Sequence, residues 1–199
     1  MRGRHLYLSH PEVLIDPLVP VPQWGLSARG RERAIAAAGL RFYRRVERIV
    51  SSDETKAIET ATIFAESLGL GIEIGSGLHE NDRSATGFLP PQEFEATADQ
   101  FFREPDLSVR GWEKAATAQA RIISSIASAL AKTPDRPTLF VGHGGVGTLL
   151  WCHCAGKSID RAYDQPRNGG GNIYQFDLDP PFVVHPWRPM DTPEESHDT

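Results

Sequence analysis

Short apolar runs alternate along the chain with longer stretches whose apolar residues recur at helical spacing. The first run, His5-Leu6-Tyr7-Leu8, reads as a strand that stops at Ser9-His10-Pro11, because Pro11 confines His10 to extended angles and ends the ladder. A loop through Pro17, Pro20 and Pro22 leads to an Ala- and Arg-rich helix predicted over about 29–43, with Ser27 as N-cap and Gly39 as its weak point. Residues 46–50 read as a second strand. Ser51-Ser52-Asp53 supply capping residues for a helix over 54–68, whose buried stripe is Ala57, Ala61, Phe64, Ala65 and Leu68. Residues 72–74 form a short third strand. Pro90-Pro91 open a helix over 91–103, and a long helix is predicted over 109–131. A fourth strand at 138–141 runs into His143-Gly144-Gly145 and a helix through Cys154, and the last strands fall at 173–178 and 182–185.

Strands alternating with helices predict an α/β fold, a three-layer sandwich with a mostly parallel central sheet. The expected organisation is a single domain over 1–185, with 75–108 as an insertion over the active edge of the sheet. Residues 186–199, where Arg188 faces Asp191, Glu194, Glu195 and Asp198, read as a polar, poorly packed tail. The final strands leave the oligomeric state open between an unpaired edge and a dimer seam.

Composition narrows the classes. A chain of 199 residues buries roughly 70% of its extended surface, enough for a core without disulfide or metal staples. A net charge of −5 argues against a general nucleic-acid binder or a polybasic membrane anchor. No apolar run reaches the length of a membrane span, and MRGRHLYLSH lacks the apolar centre of a signal peptide, so a cytoplasmic setting is expected by elimination. Cys152-His153-Cys154 lie on one helix, which cannot turn all three side chains toward one ion, so no metal is expected.

In open α/β sheets, ligands gather beyond the carboxyl ends of the strands. His10, Ser51-Ser52, Glu80 and His143-Gly144-Gly145 all follow strands in that sense. Two imidazoles and a carboxylate without a metal motif suit phosphoryl transfer through histidine. One neutral imidazole attacks phosphorus, the other donates to the phosphoryl oxygens, and a carboxylic acid protonates the leaving oxygen. Gly144 and Gly145 permit close backbone approach, and the helix behind them offers unpaired N–H groups.

Five segments in order then resemble the histidine phosphatase superfamily, in its phosphoglycerate-mutase-like branch. They are Leu6-Tyr7-Leu8-Ser9-His10-Pro11-Glu12, Trp24-Gly25-Leu26-Ser27 with Gly30-Arg31, 49–61 from Ile49 to Ala61, Leu78-His79-Glu80, and Val141-Gly142-His143-Gly144-Gly145. The resemblance implies a phosphoglycerate-mutase-like sheet and a phosphoric monoester hydrolase that works through a phosphohistidine, without a cofactor. By it His10 would be the nucleophile, Glu80 the proton donor and later the base, and His143 the group that polarises the phosphoryl. Ser9, Lys56, Arg83 and Gly144 are the expected phosphate contacts. The partner would be a phosphorylated small molecule or a phosphoprotein.

Three positions depart from the family pattern. Ser9 stands where the family has arginine, a loss comparable to about 2–5 kcal/mol of charged contact. Pro11 replaces glycine and removes a backbone donor, and Lys56 replaces a forked guanidinium by a point charge. Arg83 and Arg167 are candidate substitutes for the missing cation, whereas Arg2 and Arg4 belong at the opposite end of the first strand. The departures motivate an alternative: a catalytically weakened or inactive member that binds a phosphorylated ligand or a protein.

Overall fold

In the computed structural model, residues 4–193 are described. Seven strands form one sheet: β1 (His5–Ser9), β2 (Arg48–Ser51), β3 (Ile72–Ile74), β4 (Thr138–Gly142), β5 (Asn172–Leu178), β6 (Pro181–Val183) and β7 (Arg188–Pro189). Their order is β3-β2-β4-β1-β5-β6, with β7 also against β5. The β3–β2, β2–β4 and β4–β1 pairings are parallel, and β5 runs antiparallel to β1, β6 and β7, so the sheet is mixed. Among the described residues five α-helices cover it: α1 (Ala28–Ala38), α2 (Thr55–Leu68), α3 (Pro91–Arg103), α4 (Ala115–Lys132) and α5 (Gly144–Cys154).

The layers follow from the two-residue period of a strand. Leu6 and Leu8 of β1 join Ile49, Leu139 and Val141 in a core closed by α1 and α2. Tyr7 points the other way, into a core with Phe140, Tyr174 and Phe176 that α3, α4 and α5 complete. This is the α/β three-layer arrangement expected from the alternation of elements.

Local chemistry sets the ends. The Ser27 hydroxyl accepts from Gly30 N at 3.1 Å and starts α1. Predicted to continue to 43, the helix stops at Ala38, and Arg41–Arg45 form a separate 3-10 turn. The long helix begins at Ala115 rather than 109, because Arg110 (φ 53°) and Gly111 (φ 83°) take left-handed angles that no α-helix accommodates.

The end of the described chain differs from the polar tail expected from 186 onward. Trp187 and Met190 are buried, Arg188 lies in β7, and Asp191 pairs with Arg33 at 3.1 Å. The Tyr43 hydroxyl also donates to Met190 O at 2.8 Å. Two apolar side chains anchor this segment against α1 and the sheet. Glu194, Glu195 and Asp198 lie outside the described residues. Trp187 packs edge-on to Tyr174 (centroids 4.6 Å apart) and Tyr7 (6.0 Å). Trp187→Ala is expected to lower unfolding free energy by about 3–5 kcal/mol in urea melts.

Candidate active site

The β1–β4 register places Ser9 opposite Gly142, so the residues that follow, His10 and His143, leave the sheet side by side. His10 N donates to Gly142 O at 3.0 Å, and the two imidazoles stand 5.3 Å apart, edge to face. Tyr7 fastens the turn from beneath: its hydroxyl donates to His143 O and accepts from His143 N, both at 3.1 Å. A Cβ at Gly142 would come within 2.4 Å of that hydroxyl, which requires glycine there.

His10 Nδ1 lies 2.8 Å from Pro11 O. A carbonyl only accepts, so Nδ1 carries the proton and Nε2 keeps its lone pair. Burial first, and the neighbouring His143 second, push the His10 pKa down to about 3, so the ring is neutral at pH 7. The loop at 169–171 closes over it, with Gly171 N donating to His10 O at 2.9 Å.

The Glu80 carboxylate caps α5. Its Oε2 accepts from Gly145 N at 3.0 Å, and its Oε1 from Val146 N at 2.9 Å and Asn81 N at 3.0 Å. Burial raises its pKa, but the Arg83 guanidinium foremost, with His143 and the Asn81 N–H, outweighs burial and holds it below the ordinary value. A side chain at Gly145 would strike this carboxylate, and one at Gly144 would strike Gln165.

His143 is fully buried. Its Nε2 is 2.8 Å from Ser52 Oγ and 3.4 Å from Glu54 Oε1, while Nδ1 has no partner among the described residues. Burial lowers its pKa against the pull of Glu54 and Glu80. The buried Glu54 carboxylate is the hub here: it pairs with Lys56 and accepts from Glu80 N at 2.9 Å. Burial pushes the Glu54 pKa up, but His143 and Lys56 pull harder, and the result is about 2.

A cavity of about 730 Å³ opens beside these groups. His10, Glu80, Arg83 and Gly144 border it. Ser9, Lys56 and His143 do not. The Ser9 hydroxyl donates to Gln165 Oε1 at 2.6 Å and accepts from Asn172 N at 3.0 Å, which ties β1 to the 165–172 loop rather than facing the cavity. Lys56 is turned inward, donating to Val21 O at 2.8 Å and to Glu54. Arg83 lies over Phe94 (5.2 Å) and Trp112 (5.6 Å), with Nη2 3.9 Å from Glu80 Oε2. Arg167 borders the cavity but is mostly exposed and paired with Glu95, and Arg4 pairs with Asp135 beside the opposite end of β1. Arg2 lies outside the described residues. A second cavity of about 750 Å³, walled by Pro20–Gln23, shares Glu80, Asn81 and Arg83 with the first.

Glu54 and Gln165 were not singled out from the sequence. An acidic residue just ahead of a helix reads as a favourable charge at the helix start. The lysine two residues on is the available signal. Among the described residues, no group of three or more His, Cys, Asp or Glu is placed to hold a metal ion, and no helix is long and apolar enough to cross a membrane.

The family profile of the histidine phosphatase superfamily (branch 1) matches residues 21–185. The chain belongs to this superfamily. It is 29% identical over 137 residues to glucosyl-3-phosphoglycerate phosphatase of Mycobacterium tuberculosis, a match covering 63% of this chain. The match spans about three fifths (61%) of that relative's own length. Among solved structures, the mycobacterial glucosyl-3-phosphoglycerate phosphatase with inorganic phosphate superposes with a TM-score of 0.77 at 22% identity, over 94% of this chain and 98% of the other. Phosphoserine phosphatase of Entamoeba histolytica, with 3-phosphoglyceric acid, gives 0.72 at 15% identity over 94% and 98%. At these identities the solved structures establish the shared fold. The profile match begins beyond His10, so the placement of His10 in this histidine phosphatase superfamily member rests on the β1–β4 geometry.

Two outcomes follow from the buried charges. Glu54→Leu strands the Lys56 ammonium and is expected to cost about 3–5 kcal/mol, most of it recovered in the Glu54→Leu/Lys56→Met double variant, both read by urea unfolding. The second concerns pH. Burial holds His10 at about 3 and, with smaller contributions from neighbours, His5 at about 4, both below their ordinary 6.5. The unfolded chain therefore binds more protons below pH 6.5. Stability is full above that pH and falls toward pH 4, by up to about 1.4 kcal/mol per pH unit for each histidine. Glu54 adds to the loss below 4.5. His5→Phe should flatten the slope measured by unfolding between pH 4 and 7.5.

Proposed function

We propose that the protein is a phosphoric monoester hydrolase that passes the phosphoryl group through His10. The observation that carries this reading is the fixed tautomer: Nδ1 held on Pro11 O leaves a neutral Nε2 at the cavity beside Glu80 and Arg83. Nε2 attacks phosphorus as the bond to the leaving oxygen breaks. The negative phosphoryl group raises the pKa of Glu80 on arrival, so Glu80 takes up a proton with the substrate and passes it to the leaving oxygen. Water then attacks the phosphohistidine and Glu80 accepts its proton. Phosphate leaves and His10 is neutral again. Arg83 and the Gly144 N–H serve the phosphoryl oxygens. His143 acts from below, Lys56 holds Glu54 in place, and Ser9 positions the 165–172 loop. The route uses no metal or cofactor. A cavity of about 730 Å³ suits a small phosphorylated molecule better than a folded phosphoprotein, in keeping with the small glucosylated phosphoglycerate in the name of the mycobacterial relative.

Two observations favour the weakened, ligand-binding alternative: Lys56 is already neutralised by Glu54, and Ser9 offers the cavity no donor. Labelling separates the two. A phosphodonor carrying radioactive phosphorus should label His10, and His10→Ala should lose both label and turnover. Glu80→Gln should retain label but lose about 10²–10⁴ in turnover. Undiminished turnover in His10→Ala would sink the covalent route, and absence of label and turnover across substrates would favour the binding protein.

A further inference from the structure

The charges around the His10 cavity are nearly all spoken for. Its carboxylates are Glu80, Glu95, Asp99 and Asp164, and its guanidiniums Arg83, Arg161 and Arg167. Arg161 is saturated: Nη2 meets Glu95 Oε2 at 2.6 Å, Nη1 meets Glu95 O at 2.8 Å and pairs with Asp99, and Nε lies 3.9 Å from Asp164. Arg167 shares the same Glu95 oxygen at 2.7 Å. Arg83 is the least committed of the three, 3.9 Å from Glu80. A bound phosphomonoester would draw on Arg83 for its own two negative charges. A second anionic group on the same ligand would then face Glu95, Asp99 and Asp164 with their cations already engaged, and like charges in one cavity repel. The wall beside Arg83 is apolar, formed by Phe94, Ala98 and Trp112, and the volume leaves ample room beyond a phosphate.

We infer that this site selects phosphomonoesters whose alcohol portion is uncharged or cationic and carries an apolar face, and discriminates against carboxylated phosphates. The inference rests on the phosphatase reading and names its substrate class, one that departs from the glycerate esters named for the relatives above. Two ligand pairs isolate the carboxylate. O-phosphoethanolamine differs from O-phosphoserine by that group alone, and glycerol 3-phosphate carries a hydroxymethyl where 3-phosphoglycerate carries a carboxylate.

Calorimetry on the full-length His10→Ala protein, which lacks the nucleophile, measures binding of the intact esters independently of turnover. The carboxylate-free member of each pair should bind at least about tenfold tighter. Asp99→Asn in that background, which loosens the hold on Arg161, should narrow the gap. Equal or tighter binding of the carboxylated members overturns the inference, as does no binding by any of the four. Phosphohistidine labelling of the wild-type protein is read separately. Label with the reverse preference defeats only the substrate class, while no label with the expected preference defeats only the phosphatase reading.

Discussion

The parallel pairing of β1 with β4, in the one register that sets Ser9 against Gly142, is the constraint on which the site depends. A slip of one residue would reverse the faces of Leu6, Tyr7 and Leu8 and separate the two imidazoles. The register is held from both faces, by the aliphatic core under α1 and α2 and by the Tyr7 hydroxyl bonded to the backbone on both sides of the His143 peptide. Tyr7 also stacks on Tyr174 at 5.4 Å, which ties the same turn to β5. Core packing and the position of His10 are therefore one problem with one solution.

Around that fixed pair the charges are arranged in two tiers. The lower tier is buried: Glu54, which also borders the second cavity, gathers Lys56, His143 and the Glu80 N–H off the His10 cavity. The upper tier faces the cavity, where Arg83 lies against aromatic rings and Arg161 is clasped by carboxylates of α3. An anion entering the upper tier feels the lower one as a nearly compensated pair, because Lys56 and Glu54 largely cancel at a distance. With Ser9 and Lys56 engaged away from the cavity, the least committed guanidinium that faces it, Arg83, comes from the 75–108 segment.

Much of this was legible from residues alone. α2, α3 and β3 fall close to where periodicity, Pro91 and the Gly69 stop place them, since each has both an apolar stripe and a local end signal. Where the end was set by backbone angles, as at Arg110, or by isolated anchors between prolines, as at Trp187 and Met190, periodicity had nothing to register. His10, Glu80 and His143 were visible because each follows a strand, and the fold brings them together. Glu54 was not, because its meaning depends on a buried lysine partner, and burial is a property of the folded layers.

Glu80 links the chemistry to the scaffold. The same two oxygens that would trade a proton also satisfy the first amides of α5, whose Val146, Leu149 and Leu150 side chains lie in the core. Neutralising that carboxyl would loosen the opening turn of a structural helix, and recharging it would retighten that turn. Through it, the proton state of one side chain bears on how firmly the start of that helix is seated.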